Sequence, residues 1–335
     1  MYLLLNTNIY KKTRFPPEKM YICGSGDIIF FMLIGAEIIK GALRLLALQP
    51  LKLHYFWGKC ISWILRVPMR YRRDVVMVNL SRSFPEKKYK ELAGIADGFY
   101  AHFGRILAET IWFAGSVKES RLLNSGICRI VNMDLLSAMY EESPGVMIMT
   151  SHLGNWEIIG GFMHYPAIGQ KLPVPFGEKD ITVVYKALNS PVWDKVMREN
   201  RCAPVKVDMD SCCVESRDIM RFVIDHRHEK RIYIFPTDQA PYKYASYHTV
   251  DNFMHQPTKT MTGGASLARK LKLSVCYMGM TERPEGGYDI RFEELCRDAS
   301  QSSVEELMNG FYAYLARDIE AQPWNYLWSH KRWKK

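Results

Sequence analysis

The stretch Pro144-Gly-Val-Met-Ile-Met-Thr-Ser-His152-Leu-Gly-Asn155-Trp-Glu157 decides how the rest of the chain is interpreted. Its apolar residues 146–149 favour a buried β-strand, and the glycine and polar residues that follow favour a strand end with a helix just beyond it. In open α/β sheets, ligands bind at such strand ends. We therefore interpret His152 as a side chain that a strand delivers to a site at the edge of a sheet.

The spacing of His152 and Glu157 predicts a catalytic pair. A carboxylate five residues after a histidine would lie off its face on a continuous helix, but a strand-to-helix turn can bring the two together. Neutral His152 would then remove a proton from a hydroxyl, while Glu157 fixes the tautomer and stabilises the imidazolium. None of the other eight histidines has an acid five residues on. The alternative is a capped helix start with an incidental histidine.

Composition and charge narrow the possible partners. The 335 residues are 48% hydrophobic and 24% charged, as in a folded globular protein. A net charge of +10 and a pI near 9.1 predict an acidic partner, which could be nucleic acid, an anionic membrane or an acidic carrier protein. The eight cysteines are scattered without a C-x-x-C motif, which favours reduced thiols in a cytosol-facing protein over a disulfide scaffold or a zinc site.

The first part of the chain has membrane-facing features. Residues 1–27 lack signal-peptide architecture, and we interpret them as a disordered leader. Residues 28–48 form an apolar run whose three charged residues, Glu37, Lys40 and Arg44, fall within one narrow arc of a helix. Such a helix suits a position in the membrane interface better than a free span across the bilayer.

The segment after Pro50 repeats this design. It carries a basic stripe with a period of seven residues, opposite aromatic residues typical of the membrane–water boundary: Lys52, Lys59 and Arg66 against Tyr55, Phe56, Trp57 and Trp63. Basic segments beside a membrane are attracted to anionic lipid. We therefore expect membrane-associated helices over residues 28–68 and one catalytic domain over residues 69–335. The alternative for the helices is a pair of core helices with charged tips in solvent.

Strand and helix signals alternate through the rest of the chain. One helix is predicted up to Phe84 and another from Pro85 to about Gly115. Beyond His152 the predicted strands are 181–185, 203–207, 232–235, 274–280 and 288–292, and the predicted helices are 190–199, 212–225, 262–270 and 304–321. This alternation predicts an α/β fold with a mixed, mostly parallel central sheet covered by helices.

Several common chemistries have no motif in this chain. G-x-S-x-G, G-x-G-x-x-G and the Walker A lysine motif are all absent from the sequence. His226-Arg-His228-Glu229 follows an apolar helix-like segment, so we interpret it as a solvated turn and predict no metal site. A histidine base without metal or nucleotide fits the transfer of an already activated group to an alcohol, and an acyl thioester is the obvious activated group.

Four blocks of sequence carry a resemblance to a known family. They are His152-Leu-Gly-Asn155-Trp-Glu157; Val184-Tyr185-Lys186-Ala-Leu-Asn189-Ser-Pro with the later Arg201; Asp238-Gln239 with Pro257-Thr258 through Gly263 to Ala268-Arg269; and Gln322-Pro323-Trp324-Asn-Tyr-Leu-Trp328-Ser-His330-Lys-Arg332-Trp333. From about residue 70 to residue 333 the sequence resembles the lipid A biosynthesis acyltransferases, within the lysophospholipid acyltransferase superfamily. Lys186-Ala187 stands where this family commonly has Arg-Pro, and Met254-His255 replaces the usual Phe-Gly.

The resemblance implies a glycerolipid acyltransferase-like fold and the transfer of a fatty acyl chain to a hydroxyl of a lipid A precursor. The donor would be acyl carrier protein or acyl-CoA, no cofactor would be needed, and the site would be the cytoplasmic face of the bacterial inner membrane. His152 and Glu157 would be catalytic, with backbone N–H groups near Gly154 or a nearby cation as the oxyanion stabiliser. The expected substrate-binding residues are Asn155, Tyr185, Lys186, Asn189, Arg201, Asp238, Gln239 and Arg332.

Some of these residues have other interpretations. Asp238 and Gln239 follow a strand end, where they could cap a helix, and the cations could form surface ion pairs. A lysophospholipid or an acylated amino-acid lipid could replace the lipid A precursor as acceptor. A non-catalytic lipid-binding membrane protein would share the basic and apolar surfaces without needing the histidine. Nucleic-acid binding is disfavoured, because the excess charge lies beside apolar helices and not on a soluble recognition element.

Overall fold

The structure, a computed structural model, describes residues 25–171, 173–242 and 245–333, with side chains from residue 34 onward. Its helices are α1 Ser25–Ala47, α2 Leu51–Arg66, α3 Arg73–Ser83, α4 Tyr89–Phe113, α5 Glu119–Leu123, α6 Met133–Glu142, α7 Pro191–Arg201, α8 Met209–Cys212, α9 Ile219–Asp225, α10 Gly263–Leu271 and α11 Val304–Ala321. Short 3₁₀ helices occupy Trp156–His164, Glu178–Asp180, Ala299–Gln301 and Pro323–Asn325.

Seven strands form the central sheet, and two more form a separate hairpin. The strands are β1 Cys128–Ile130, β2 Val146–Thr150, β3 Ile181–Tyr185, β4 Cys213–Glu215, β5 Ile232–Pro236, β6 Tyr247–Phe253, β7 Gln256–Met261, β8 Ser274–Glu282 and β9 Tyr288–Cys296. The sheet order is β1-β9-β8-β2-β5-β3-β4, with β6 and β7 paired apart from it. Within the sheet the β8–β9 pair is antiparallel and the other pairs are parallel.

The predicted fold class is confirmed: the protein has an α/β fold with a mixed, mostly parallel sheet between helices. All five residues of β2 are buried, which is why this central strand has no polar residue before Thr150. Apolar residues fill two clusters, one against each face of the sheet, since Met147 and Met149 belong to one cluster and Val146 and Ile148 to the other. Most predicted strands and helices beyond His152 are present within a residue or two of their expected bounds.

Three local predictions were wrong. The helix expected to begin at Pro85 begins at Tyr89, because a turn follows α3 and Glu91 accepts the backbone N–H of Lys88 as a cap. Residues 203–207 form no strand. The single helix expected over 212–225 is divided into α8, strand β4 and α9, because Cys213–Glu215 pairs with β3 at the edge of the sheet. The sequence analysis also missed β1, α6 and the β6–β7 hairpin.

The N-terminal helices pack on the domain through their polar and small residues. Lys40 of α1 forms an ion pair with Glu199 of α7 at 2.5 Å, and Glu37 pairs with Lys195 of the same helix at 2.9 Å. Many large apolar side chains of this region therefore remain exposed. We call this set the apolar outer face: Ile34, Ile38, Leu45, Leu46, Leu48, Leu53, Phe56, Trp57, Trp63, Ile64, Val67 and Met69.

The three residues of the basic stripe predicted on α2 differ in their surroundings. Lys52 and Lys59 are exposed, but Arg66 forms an ion pair with Asp97 of α4 at 3.0 Å. Among the described helices, none is both long enough and apolar enough to cross a membrane. Residues 1–24 of the predicted leader lie outside the described part of the chain.

Helix α2 lies unusually close to α4 at Gly104. A Cβ atom placed on Gly104 would collide with the backbone oxygen of Gly58 and lie 2.8 Å from the Cβ of Ser62. We expect Gly104→Ala to lower the free energy of unfolding by about 1–3 kcal/mol, because the two helices must separate to admit a methyl group. Denaturant unfolding of the purified protein measures this.

The matched control is Gly94→Ala on the same helix, where a Cβ meets no atom within 4 Å. This substitution should raise stability by up to about 1 kcal/mol, since alanine favours the helical state over glycine. Equal effects of the two substitutions would show that the close approach of α2 does not limit residue 104.

Candidate active site

The parallel pairing of β2 and β5 brings two chemically active side chains together. The register places Thr150 opposite Pro236, and the backbone N–H of Thr237 donates to the oxygen of Thr150 at 2.8 Å. His152 and Asp238 are each two residues beyond these partners, so both leave the carboxyl edge of the sheet at the same level. This is the edge at which ligands bind in open α/β sheets.

His152 is held by hydrogen bonds on both ring nitrogens. Its Nδ1 lies 2.7 Å from Oδ1 of Asp238, and its backbone N–H donates to Oδ2 of the same carboxylate at 3.0 Å. The amide nitrogen of Gln239 lies 3.2 Å from Nε2 of His152. Because Nδ1 donates to a carboxylate, the neutral ring presents its lone pair at Nε2, where Gln239 donates. This tautomer is the one that a general base requires.

The electrostatic surroundings favour a charged imidazolium. Burial by itself would lower the pKa of His152, but the charge and hydrogen bond of Asp238, with a further contribution from the charge of Glu157, raise it above its usual value. Burial would raise the pKa of Asp238, yet the hydrogen bonds and charge of His152 lower it to about 2. The carboxylate therefore stays ionised while the imidazole titrates, so it stabilises a proton taken up by the ring.

The expected contact of Glu157 with the imidazole is corrected by the structure. The carboxylate of Glu157 accepts two hydrogen bonds from Arg201, from Nε at 2.8 Å and from Nη2 at 3.0 Å. It also accepts one from the indole of Trp156 at 3.1 Å. Glu157 lies in the first turn of the 3₁₀ helix Trp156–His164, where its side chain binds Arg201 of α7, and Asp238 occupies the position beside His152 that was expected for Glu157.

Asn155 has a different position from the one predicted for a substrate contact. It is completely buried, and its side chain caps the 3₁₀ helix by accepting the backbone N–H of Glu157 at 3.2 Å. Its amide donates to Glu109 of α4 at 2.8 Å, and Tyr288 donates to the same oxygen at 2.9 Å. Burial raises the pKa of Glu109 to about 7. Asn155 therefore holds the turn in place and is not among the residues that line the cavity described below.

The C-terminal segment also forms hydrogen bonds with the turn after β2. The backbone N–H of Gly154 donates to the oxygen of Asn325 at 3.0 Å, and Asn325 in turn donates to the oxygen of Met280 at 2.9 Å. Gly154 has a φ of +71°, and a Cβ there would lie 2.5 Å from Cγ of Met280, so the position requires glycine. The N–H group of Gly154, predicted as an oxyanion donor, is thus already used within the fold.

A cavity of about 1860 Å³ opens in front of His152. It is larger than the pockets of roughly 300–1,000 Å³ that hold drug-sized ligands. Its apolar lining includes Phe103, Ile159, Phe162, Ile234 and Phe235. Among its described lining residues, the cations outnumber the two acids Glu157 and Glu178: the cations are Arg72, Arg82, Lys186, Arg201, Arg217, Lys259, Lys331 and Arg332. The cavity is therefore suited to an amphiphile with a long apolar part and an anionic part.

The other predicted binding residues divide between the cavity and its surroundings. Tyr185, Lys186 and Gln239 line the cavity, and the ammonium of Lys186 lies 4.2 Å from the centroid of the Tyr242 ring. Arg332 also lines it, although only 3% of this residue is exposed; it donates to the oxygen of Lys259 at 2.7 Å and to the hydroxyl of Tyr312 at 2.7 Å. Asn189 is not among the described lining residues.

Sequence reasoning assigned Asp238 to the substrate and missed its contact with His152. The signal was available, because Asp238 follows the predicted strand 232–235 closely, as His152 follows its own strand. What the sequence did not contain was the order of the strands. In the part of the chain that the structure describes, no three His, Cys, Asp or Glu side chains converge to form a possible metal site.

The sequence matches the model of a known protein family. Residues 32–335 match the family model described as "Bacterial lipid A biosynthesis acyltransferase". A search of curated proteins found no match to this chain. The matched region contains β2, β5 and the residues that line the cavity, so the resemblance noted in the sequence is confirmed by the family match.

The contact between His152 and Asp238 makes a prediction about titration. Asp238→Asn keeps the shape of the side chain but removes its charge, so we expect the pKa of His152 to fall. Imidazole NMR titration measures this shift, with the His152→Gln spectrum used to assign the signal. Asp298→Asn, which removes a charge from the cap of the 3₁₀ helix Ala299–Gln301, is the control and should leave the titration unchanged. An unaltered His152 titration in Asp238→Asn would contradict the geometry.

Proposed function

Because the chain belongs to the bacterial lipid A biosynthesis acyltransferase family, we propose that it moves a fatty acyl chain from acyl carrier protein, or acyl-CoA, to a hydroxyl of a lipid A precursor. The observation that supports this most is the pairing of Asp238 with His152, which lines a large apolar and cationic cavity. A base with its lone pair directed away from a carboxylate is what an alcohol needs in order to attack a thioester.

The proposed reaction needs no covalent enzyme intermediate. Nε2 of His152 takes the proton of the acceptor hydroxyl while the oxygen forms a bond to the thioester carbonyl. The tetrahedral intermediate then collapses, the carbon–sulfur bond breaks, and the imidazolium returns the proton to the leaving thiolate. Asp238 stabilises the imidazolium through the hydrogen bond at Nδ1. Gln239, which donates to Nε2 in this structure, would give way to the acceptor hydroxyl.

Arg201 is our proposed oxyanion stabiliser. It lines the cavity, and two of its nitrogens bind Glu157. A guanidinium has five N–H donors, so donors remain for an oxygen that develops negative charge. Glu157 keeps its catalytic importance in this proposal, but as a positioning residue that fixes Arg201 and adds negative charge near His152. The sequence analysis offered two oxyanion stabilisers, a nearby cation and the N–H group of Gly154. We prefer the cation, because the N–H group of Gly154 already donates to the backbone oxygen of Asn325.

The cationic lining supports an anionic acceptor. We propose that Lys186 and Arg332 contact the headgroup, with Tyr185 and Gln239 beside them. Arg332 is buried at the cavity wall, where its guanidinium brings a positive charge to the lining. A lysophospholipid or an acylated amino-acid lipid also combines a hydroxyl with negative charge, so these acceptors remain the alternatives to a lipid A precursor.

The proposed donor and location follow from charge and exposed surface. A protein with a net charge of +10 is attracted to an acidic carrier protein. The apolar outer face of α1, α2 and residues 67–69 would lie in the interface of an anionic membrane, with Lys52 and Lys59 close to lipid headgroups. For a bacterial lipid A acyltransferase, the cytoplasmic face of the inner membrane is the site where both substrates would meet.

His152→Ala should remove the proton acceptor and lower the rate of acyl transfer by about 10²–10⁴-fold. The assay follows a labelled acyl chain from acyl carrier protein to a lipid A precursor by thin-layer chromatography and mass spectrometry. Asp238→Asn should also slow the reaction, because the imidazolium loses its stabilising charge.

The control is His228→Ala, which changes an exposed histidine that is not among the cavity residues. It should retain the wild-type rate. A His152→Ala protein with near wild-type turnover would refute the mechanism. Wild-type protein that transfers acyl chains to a lysophospholipid, but not to lipid A precursors, would support the alternative acceptor. A protein that binds these lipids without any transfer would support the non-catalytic alternative.

Membrane binding can be tested through the apolar outer face. The double substitution Leu45→Glu and Leu48→Glu changes two side chains that are 69% and 73% exposed. We expect it to reduce flotation with anionic phosphatidylglycerol vesicles by at least about tenfold, because two charges would enter the apolar interface. Ile224→Glu, at a position of α9 that is 56% exposed, is the control and should float as the wild type does. Equal flotation of all three proteins would argue against this face as the membrane contact.

A further inference from the structure

Three cysteines meet in the wall of the cavity, and the proposed reaction uses none of them. Cys202 follows the last residue of α7, Cys212 ends α8 and Cys213 begins β4. All three line the cavity, and Sγ of Cys202 lies 3.9 Å from Sγ of Cys212. The seven cysteines in the described part of the chain are free thiols, and Cys202 is half-buried at the cavity surface. The cluster is therefore both reduced and within reach of small molecules in the cavity.

The surroundings make one of these thiols more acidic than usual. A hydrogen bond from Cys202 and the charges of Arg201 and Arg198 lower the pKa of the Cys213 thiol, against the effect of its burial. The thiolate is the form that reacts with oxidants, and cations beside it favour that form. Cys202 hydrogen-bonds with Cys212 and with Cys213, so it is the member shared by both possible pairs.

We propose that Cys202 forms a reversible disulfide with the Cys212–Cys213 pair when the protein meets a peroxide. A disulfide has an S–S distance of about 2.0 Å, so the sulfurs of Cys202 and Cys212 must approach by about 2 Å. This is a small displacement for residues at helix ends. Cys212 and Cys213 are neighbours in sequence and unsuited to pairing with each other, which makes Cys202 the required partner.

The chemistry balances with hydrogen peroxide as the oxidant. The thiolate attacks one peroxide oxygen and the O–O bond breaks, which gives a sulfenic acid and hydroxide. The thiol of the partner cysteine then attacks the sulfenic sulfur, and the hydroxyl leaves with a proton as water. In sum, two thiols lose two electrons and two protons, and one peroxide becomes two waters. Disulfides of this transient kind are the ones found in reducing compartments.

The position of the cluster connects it to the candidate active site. Cys202 is the residue after Arg201, whose guanidinium holds Glu157. The backbone of Arg201 also lies against Gly160 of the 3₁₀ helix that follows the catalytic turn. A disulfide that draws Cys202 toward Cys212 or Cys213 would displace this segment. We therefore expect oxidation to lower acyl transfer, and this consequence, unlike the disulfide itself, rests on the proposed function.

Peptide mapping tests the disulfide without any activity assay. Trypsin cleaves after Arg201, Lys206 and Arg217, so Cys202 lies in peptide 202–206 and the other two thiols lie in peptide 207–217. Purified full-length protein is treated with hydrogen peroxide, blocked with N-ethylmaleimide and digested without reductant. We expect the two peptides to be joined in at least about half of the molecules and released by dithiothreitol. Fragmentation of the joined species identifies Cys212 or Cys213 as the partner.

Matched variants separate this site from general thiol oxidation. Cys202→Ser should abolish the joined peptides, while Cys60→Ser, which changes a partly exposed thiol of α2 outside the cavity lining, should leave them unchanged. Peroxide treatment that leaves all three thiols free for N-ethylmaleimide, or that joins Cys202 to another part of the chain, would overturn the proposal. Where acyl transfer is measurable, dithiothreitol should restore it to the oxidised wild type. If the oxidised wild type contains the joined peptides and keeps full activity, the expected effect on the active site is refuted, while the disulfide itself is supported.

Discussion

The hydrogen bond between Nδ1 of His152 and Oδ1 of Asp238 depends on one constraint, the parallel register of β2 with β5. A shift of β2 by one residue would move each of its side chains to the opposite face of the sheet and would separate His152 from Asp238. The buried strand β2 resists such a shift, because its side chains alternate between the two apolar clusters. The chemistry of the site is thus fixed by the same pattern of burial that determines the fold.

The turn that carries His152 is held on several sides, which explains why it keeps an irregular backbone. Asn155 connects it to the buried Glu109 of α4, and Gly154 connects it to the C-terminal segment at Asn325. Glu157 connects the far end of the turn to Arg201 of α7. Each connection satisfies polar groups that would otherwise be buried alone, so several contacts together fix the position of the turn that carries His152. A site built in this way is pre-organised before any ligand binds.

The sequence predicted the fold class and the delivery of His152 to the sheet edge, because both follow from local patterns. The apolar run before Thr150 and the glycine at position 154 are properties of neighbouring residues. The partner of His152 was misassigned to Glu157 because it depends on which strand lies beside β2, and β5 comes more than eighty residues later in the chain. For the same reason the sequence did not predict that Asn155 would be buried beneath the turn. The prediction of a single helix over 212–225 was wrong because pairing with β3 outweighed the helical propensity of the chain at Cys213.

Helix α1 departs from the usual pattern of a helix on the surface of a soluble domain. Such a helix normally packs its apolar side inward and exposes its charges, whereas here Lys40 faces inward to Glu199 while Ile38 and Leu45 are 67% and 69% exposed. Two of the three charged residues in this stripe, Glu37 and Lys40, form ion pairs with α7, while Arg44 is exposed. The helix that receives α1 is α7, which also carries Arg201. Helix α1 therefore contacts the helix from which Arg201 reaches Glu157, and this contact connects the exposed apolar side chains of α1 to the candidate active site.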